Sequence, residues 1–212
     1  MVQTSRRSRE KQQRHEEILD AAEKIFFSKG FANSSMDEIG KQAQLSRALL
    51  YVYFKDKAAI MLGVMLRACN CLESYFQKAL ADGGNGLQQI EGIGHAYYVF
   101  SKQNSDYFDV LIDLNTFPIR ESDGSQVEAL LNCNARITTL MEEALTNGVE
   151  DGTLDPVNVS DVTRTAYFLQ GALHGVIMAA RTRHSEPMAK QDGEELVLYT
   201  ISMLTESMRN RR

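Results

Sequence analysis

Residues 35–57 read SMDEIGKQAQLSRALLYVYFKDK, and few folds accept that string. Ser35 and Glu38 form an S-x-x-E capping box, which satisfies orphan backbone N–H groups in the first turn of a helix. Ile39 and Ala43 then fall on its inward face. Gln44 and Leu45 make the turn, and Ser46 is placed to cap a second helix over about 47–53. That helix is polar at its tip and aromatic toward its end. It sends Leu50 inward, with Phe54 just beyond. Two short helices joined by a tight turn are the layout that puts a second helix into the DNA major groove.

The flanks agree with this reading. A helix is predicted over about 9–29, with Ile18, Ala22, Ile25 and Phe26 at i, i+4, i+7 and i+8 on one face. Gly30 stands where a helix C-cap is expected, and Phe31 folds back toward the core. Asp56 caps a long helix over about 57–80. The segment Asp82-Gly-Gly-Asn-Gly86 then breaks the chain. Further helices are predicted at about 87–102, 105–116, 124–149, 159–182 and 193–209. The turns between them fall at Asn104-Ser105, Phe117-Pro118, 151–156 and 184–193. Strand-like alternation is missing, and the chain carries 3 prolines in 212 residues. The expected fold class is all-α, with about nine helices.

A net charge of −5 looks wrong for a nucleic-acid partner until it is mapped. Residues 1–57 hold 11 Lys and Arg against 8 Asp and Glu, a net +3, while the remainder holds 12 against 20, a net −8. A basic head on an acidic body suits a small DNA-binding module carried by a domain that avoids DNA. No apolar run reaches the ~18 residues of a membrane span, and the basic N-terminus lacks a signal peptide's apolar stretch. The expectation is a cytoplasmic protein without a membrane partner. Cys69, Cys71 and Cys133 fit reduced thiols better than a disulfide framework.

Catalysis finds little support. His15, His95, His174 and His184 are scattered, and no HExxH, GxSxG or phosphate loop occurs. Glu142 and Glu143 read as a solvated helix face. Cys69 and Cys71 lie two apart on a helix and so on different faces, which argues against a redox or zinc motif. The expectation is no enzyme, no cofactor and no metal.

The head resembles the TetR family of one-component bacterial transcription regulators across about 18–62. The residues that carry the resemblance are AAEKIFFSKGF, SSMDEIGKQAQLS and YVYFKDK. Two positions depart from the family pattern: Gln44 replaces the usual turn glycine, and Leu49 replaces Thr or another small polar residue. The resemblance implies a helix-turn-helix domain over 1–56 and a helical ligand-binding and dimerisation domain over 57–212.

The DNA-binding residues implied are Ser35, Ser46, Arg47, Ala48, Leu49, Tyr51, Tyr53 and Lys57. Ser35 and Ser46 sit at helix N-termini, where hydroxyl and N–H groups favour a phosphate. Arg47 is the candidate for guanine, because a guanidinium bonds O6 and N7 together. Ala48 admits close approach, and Leu49 offers an apolar contact to a thymine methyl. Tyr51 and Tyr53 resemble the family's aromatic phosphate contacts. Lys57 opposes the dipole of the helix it opens, so a phosphate salt bridge is its expected role. Arg6, Arg7 and Arg9 are read as a disordered arm adding salt-dependent affinity.

The last two helices are expected to pair with their twofold mates in a homodimer, through Gly171, Ala172, Gly175, Leu196, Tyr199 and Met203. An effector pocket is expected among helices five to eight, lined by Tyr97, Phe100, Phe108, Asp113, Phe117, His174 and Met178 and suited to a lipophilic small molecule. The function expected is a repressor that leaves a palindromic operator when helix four swings the reading heads apart. The alternative is a helical adaptor that binds only protein.

Overall fold

The computed structural model describes residues 6–113, 117, 124–182 and 189–211, with side chains for all of these but 113, 182 and 189–192. Nine α-helices are found among them: α1 (Arg6–Lys29), α2 (Met36–Gln42), α3 (Arg47–Tyr53), α4 (Lys57–Ala81), α5 (Gly86–Gln103), α6 (Ser105–Asp113), α7 (Gly124–Glu150), α8 (Val162–Thr182) and α9 (Ala189–Met208). The only extended pairing among the described residues is an isolated bridge between Leu154 and Arg209. Two corrections follow. Arg6, Arg7 and Arg9 belong to α1 rather than to an irregular arm, held in register by side-chain pairs such as Arg6–Glu10 (2.9 Å). The turn expected from His184 lies largely outside the described residues, and α9 already begins at Ala189.

The chain forms two compact units: Met1–Ala68 with Asp109–Leu131, and Cys69–Phe108 with Asn132–Arg212. The division between the units falls within α4.

In the first unit, Ile18, Ala22 and Phe26 of α1 are buried as their spacing predicts, Ile25 is only half-buried, and Leu19 and Ala21 join the core. Leu19 packs so closely on Gly63 that a methyl there would lie 2.8 Å from its Cδ2. Ile39, Leu50 and Phe54 complete this core, each worth about 1.5–3 kcal/mol on burial. Arg67 fastens α4 to α1. Its guanidinium reaches Glu16 (2.5 Å), Asp20 (2.8 Å) and Glu23 (2.9 Å) and donates to the Glu16 carbonyl (3.0 Å). Partial burial opposes ionisation of Glu16, but the Arg67 bonds win and hold its carboxyl below the usual range.

In the second unit, α8 and α9 pack along each other and α5 lies against both. The α5 start meets the α7 end glycine to glycine: a Cβ on Gly86 would fall 1.9 Å from the Gly148 nitrogen, so no side chain fits. Asn85 opens α5 with a reciprocal capping box to Gln88. The N-x-x-Q spelling of that box went unread in the sequence.

Candidate nucleic-acid interface and effector cavity

The reading head is built by caps. Ser35 accepts from the Glu38 N–H (3.3 Å) and donates its hydroxyl to the Glu38 carboxylate (2.7 Å), which also pairs with Lys29. Those hydrogen bonds, from Lys29 first and Ser35 next, hold the Glu38 carboxyl down to about 2. Ser46 caps α3 by accepting from the Leu49 N–H (3.2 Å). Between them Gln44 sits at φ 55°, in the left-handed region. That conformation costs a residue with a Cβ about 1–2 kcal/mol, which explains why glycine suits the position. The following N–H of Leu45 closes the turn on the Gly40 carbonyl (2.8 Å).

With Leu50 at 0% exposure and Phe54 capping the end of α3, the opposite face of the helix is free. Arg47, Ala48, Leu49 and Tyr51 are exposed there, and Tyr53 is half-buried. Val52, 71% exposed, belongs to the same surface and was missed by sequence reasoning. Its spacing of four from Ala48 is the signal that would have found it. Arg47 is held at both ends of its reach. Its guanidinium stacks 5.6 Å from the Tyr51 ring and pairs with Asp37 (3.1 Å). Tyr51 first and Asp37 second raise its pKa further. The pair is solvent-exposed and therefore weak.

Lys57 is engaged within the head. Its ammonium points into the first unit, donating to the carbonyls of Phe31 (2.6 Å) and Ser34 (2.7 Å), 4.3 Å from the Phe31 ring. It serves the α1–α2 turn, where carbonyls left by the end of α1 need donors. Burial lowers its pKa.

One cavity of the second unit is lined mainly by apolar side chains. It encloses about 40 Å³, between α4 (Phe76), α5 (Ile90, Ile93, Gly94, Tyr97), α7 (Met141), α8 (Leu169, Gln170, Leu173) and α9 (Ile201, Leu204, Thr205, Met208). Of the six candidate residues whose side chains are described, only Tyr97 lines it. Phe100 and Phe108 are fully buried and meet edge to face at 6.4 Å in an aromatic cluster that includes Tyr97 and His174. His174 faces Tyr97 through Nδ1, 2.7 Å from the phenol oxygen, and burial lowers its pKa. Met178 is half-buried and away from the lining, and Phe117 packs on Phe31 in the first unit (5.2 Å). The Asp113 side chain lies outside the described residues. α6 supplies no wall and α9 supplies four residues, because the tight packing of α5 on α8 and α9 puts the void there.

On α8 and α9 an apolar surface stays open. Tyr167, Phe168, Tyr199 and Met203 are each more than half exposed. A methyl added at Gly171 or Gly175 would meet nothing within 4 Å. Ala172 and Leu196 are half-buried beside them.

Residues 18–64 match the sequence profile of bacterial regulatory proteins of the tetR family. The head of the chain is thus similar to the TetR-family DNA-binding domain. The HTH-type transcriptional activator FasR of Mycolicibacterium smegmatis is 27% identical over 101 residues, 48% of this chain and 46% of that relative. The chain thus spans about half the length of that relative. Among solved structures, the TetR-family regulator PfmR of Thermus thermophilus superposes with a TM-score of 0.65 at 22% identity, covering 89% of this chain and 97% of its own. SmeT, the repressor of the Stenotrophomonas maltophilia multidrug efflux pump SmeDEF, gives 0.68 at 19% identity, covering 93% and 91%. These likenesses extend the TetR fold over nearly the whole chain. Among the described residues no helix is long and apolar enough to cross a membrane.

Proposed function

We propose that this TetR-family regulator is a homodimeric repressor that reads a pseudo-palindromic operator and leaves it when an apolar small molecule binds the second unit. The observation that carries the reading is the α3 surface. Arg47, Ala48, Leu49, Tyr51 and Val52 form an exposed, mixed polar and apolar strip on a helix whose other side is locked by Leu50. Such a strip exposes large apolar groups that solvent alone gives no reason to keep. A guanidinium for guanine and methyl groups for thymine are what major-groove readout uses.

The open apolar face of α8 and α9 supports a twofold four-helix interface. Two α3 helices would then read half-sites about 34–36 Å apart. The cavity walls are aliphatic and aromatic. Tyr97 is engaged with His174, and the Thr205 hydroxyl donates to the Ile201 carbonyl (2.6 Å), which leaves Gln170 as the polar wall group. That lining favours a lipophilic effector. At about 40 Å³ the cavity must widen to admit one, against the 300 Å³ or more of common ligand sites. Widening displaces α8 and α9 walls, and a ligand that prefers the widened state shifts the population away from the DNA-competent one.

Footprinting on fragments captured from the host genome tests this. The expected pattern is two protected half-sites one helical turn apart, with protection fading as the effector is added. Uniform coating of all fragments, equally erased by salt, would overturn the reading.

A further inference from the structure

We propose that the first turns of α1 are a second DNA-gripping element, in which Arg7, Lys11 and Arg14 form a basic stripe that holds the phosphate backbone flanking the groove read by α3. Residues 7, 11, 14, 18, 21 and 25 follow one another in alternating steps of four and three, so they lie along one side of the helix. From Ile18 onward that side is apolar and packs into the head, with Ile18 and Ala21 buried. Ahead of Ile18 the same side carries only Arg7, Lys11 and Arg14. The apolar seam turns basic where the helix outruns its core.

Residues 6–13 are all exposed, yet they are helical. Pairs on the helix surface hold them, Arg6–Glu10 (2.9 Å), Gln12–Glu16 (2.6 Å) and Gln13–Glu17 (3.1 Å), and such pairs add little stability. A stretch that is polar all round has no packing reason to extend the helix this far. Its charge is one-sided as well: residues 6–14 hold five Lys and Arg against one Glu, a net +4. That Glu10 is taken by Arg6, and Glu17 by Arg14 (2.5 Å) in a pair open to solvent. Glu16, Asp20 and Glu23 lie on the far side of α1, where Arg67 neutralises them. The positive charge of Arg7 and Lys11 is therefore left for a partner outside the head.

His15 fixes where the stripe leaves the head. Its ring stacks on Phe54, with 4.5 Å between centroids and 29° between planes, and Phe54 caps the end of α3. The basic turns therefore start beside the helix whose exposed face carries Arg47, Leu49, Tyr51 and Val52. From His15 back to Arg7 the axis runs about 12 Å, at about 1.5 Å per residue. That is the rise of about three base pairs, with about 3.4 Å between phosphates of one strand. Guanidinium and ammonium groups only donate, and phosphate oxygens only accept. A row of such donors next to the reading helix suits the backbone just outside each half-site, where contacts fix register without reading bases.

The stripe's partner rests on the DNA-binding reading, so the test scores the two apart. Full-length wild type, the double variant Arg7→Gln with Lys11→Gln, and Arg9→Gln alone are titrated onto the duplex that wild type selects and onto a random duplex, across a salt series. The double variant should lower the slope of log affinity against log salt by about 1.8, at about 0.9 per phosphate contact, and bind about tenfold more weakly at about 0.1 M salt. Its selected consensus should match that of wild type. Arg9 is two residues from Arg7 and so on another face, and Arg9→Gln should leave the slope in place. Exchanging the two cations, Arg7→Lys with Lys11→Arg, should keep it too. Circular dichroism checks each fold, and Arg7→Ala with Lys11→Ala, both better helix formers, replaces a glutamine pair that loses helix. An unchanged slope in the double variant overturns the stripe and leaves the operator reading standing. A fall of about 0.9 in Arg9→Gln overturns the assigned face. Wild type that binds the random duplex as tightly as any other, with a slope that the double variant lowers, refutes the operator reading and leaves the stripe standing. Wild type that binds neither duplex overturns both. Vesicles of phosphatidylglycerol that bind through Arg7 and Lys11, with the DNA slope unmoved, assign the stripe to a membrane surface and overturn it.

Discussion

Replacing Lys57 with Met separates a structural lysine from a phosphate-binding one. The methionine keeps an apolar stem over Phe31 and removes the charge and three donors. Two charge-assisted bonds are lost, to Phe31 O at 2.6 Å and Ser34 O at 2.7 Å. Such bonds are worth about 1.5–3 kcal/mol each, and the ammonium contact with Phe31 adds about 0.5–1 kcal/mol. The site is only half-buried, so water takes over part of the carbonyls' needs. The net loss should be about 2 kcal/mol. With a urea slope of about 2 kcal/mol/M, the midpoint moves down by about 1 M. The chain has no tryptophan, so helical circular dichroism is the signal to follow. The same variant should bind DNA with an unchanged salt slope. A midpoint shift below about 0.2 M, together with a salt slope lowered by about 0.9 per lost contact, would return Lys57 to the phosphate backbone and refute the reasoning.

Other perturbations read other parts of the account. Gln44→Gly relieves the left-handed strain at φ 55° and should stabilise the head by about 0.5 kcal/mol once glycine's greater unfolded-state freedom is subtracted, measured by urea melts. Glu38 titrates at about 2 in the folded chain against 4.5 unfolded, so its contribution is present above pH 4.5 and lost as the pH falls through 2. The pH dependence of stability across that window should flatten in Glu38→Gln. Charging the open α8–α9 face with Phe168→Glu and Tyr199→Glu together should give monomers by sedimentation with helical content unchanged. Arg47→Ala should relax preference at one base pair by about 1–3 kcal/mol in competition binding, leaving other positions alone.

Much of the head was legible because its determinants are local. Ser35, Ser46 and Asp56 each cap a helix through a hydrogen bond three residues on, and Leu50 and Phe54 are buried as their spacing from these caps requires. The contacts of Lys57 were not legible because its partners, Phe31 and Ser34, are more than twenty residues earlier and meet it only once α4 docks. The Arg47–Asp37 pair is tertiary in the same way. The lining of the apolar cavity was not legible for a related reason. Aromatic richness in α5 and α6 marks burial, and Phe100 and Phe108 spend theirs on each other. Where a void remains depends on how α9 lies against α5 and α8, which no local pattern encodes. The Arg136–Glu73 pair joins residues sixty-three apart, and only the docking of α7 on α4 brings them together.

The central claim is that the α3 surface reads sequence on two half-sites. Selecting bound DNA from a random pool with the purified, reduced protein tests it most directly. The account predicts a palindromic consensus whose half-sites lie one helical turn apart, with a guanine position that loses its preference in Arg47→Ala. A pool that shows no enrichment at low salt, or a consensus without twofold symmetry, would contradict it.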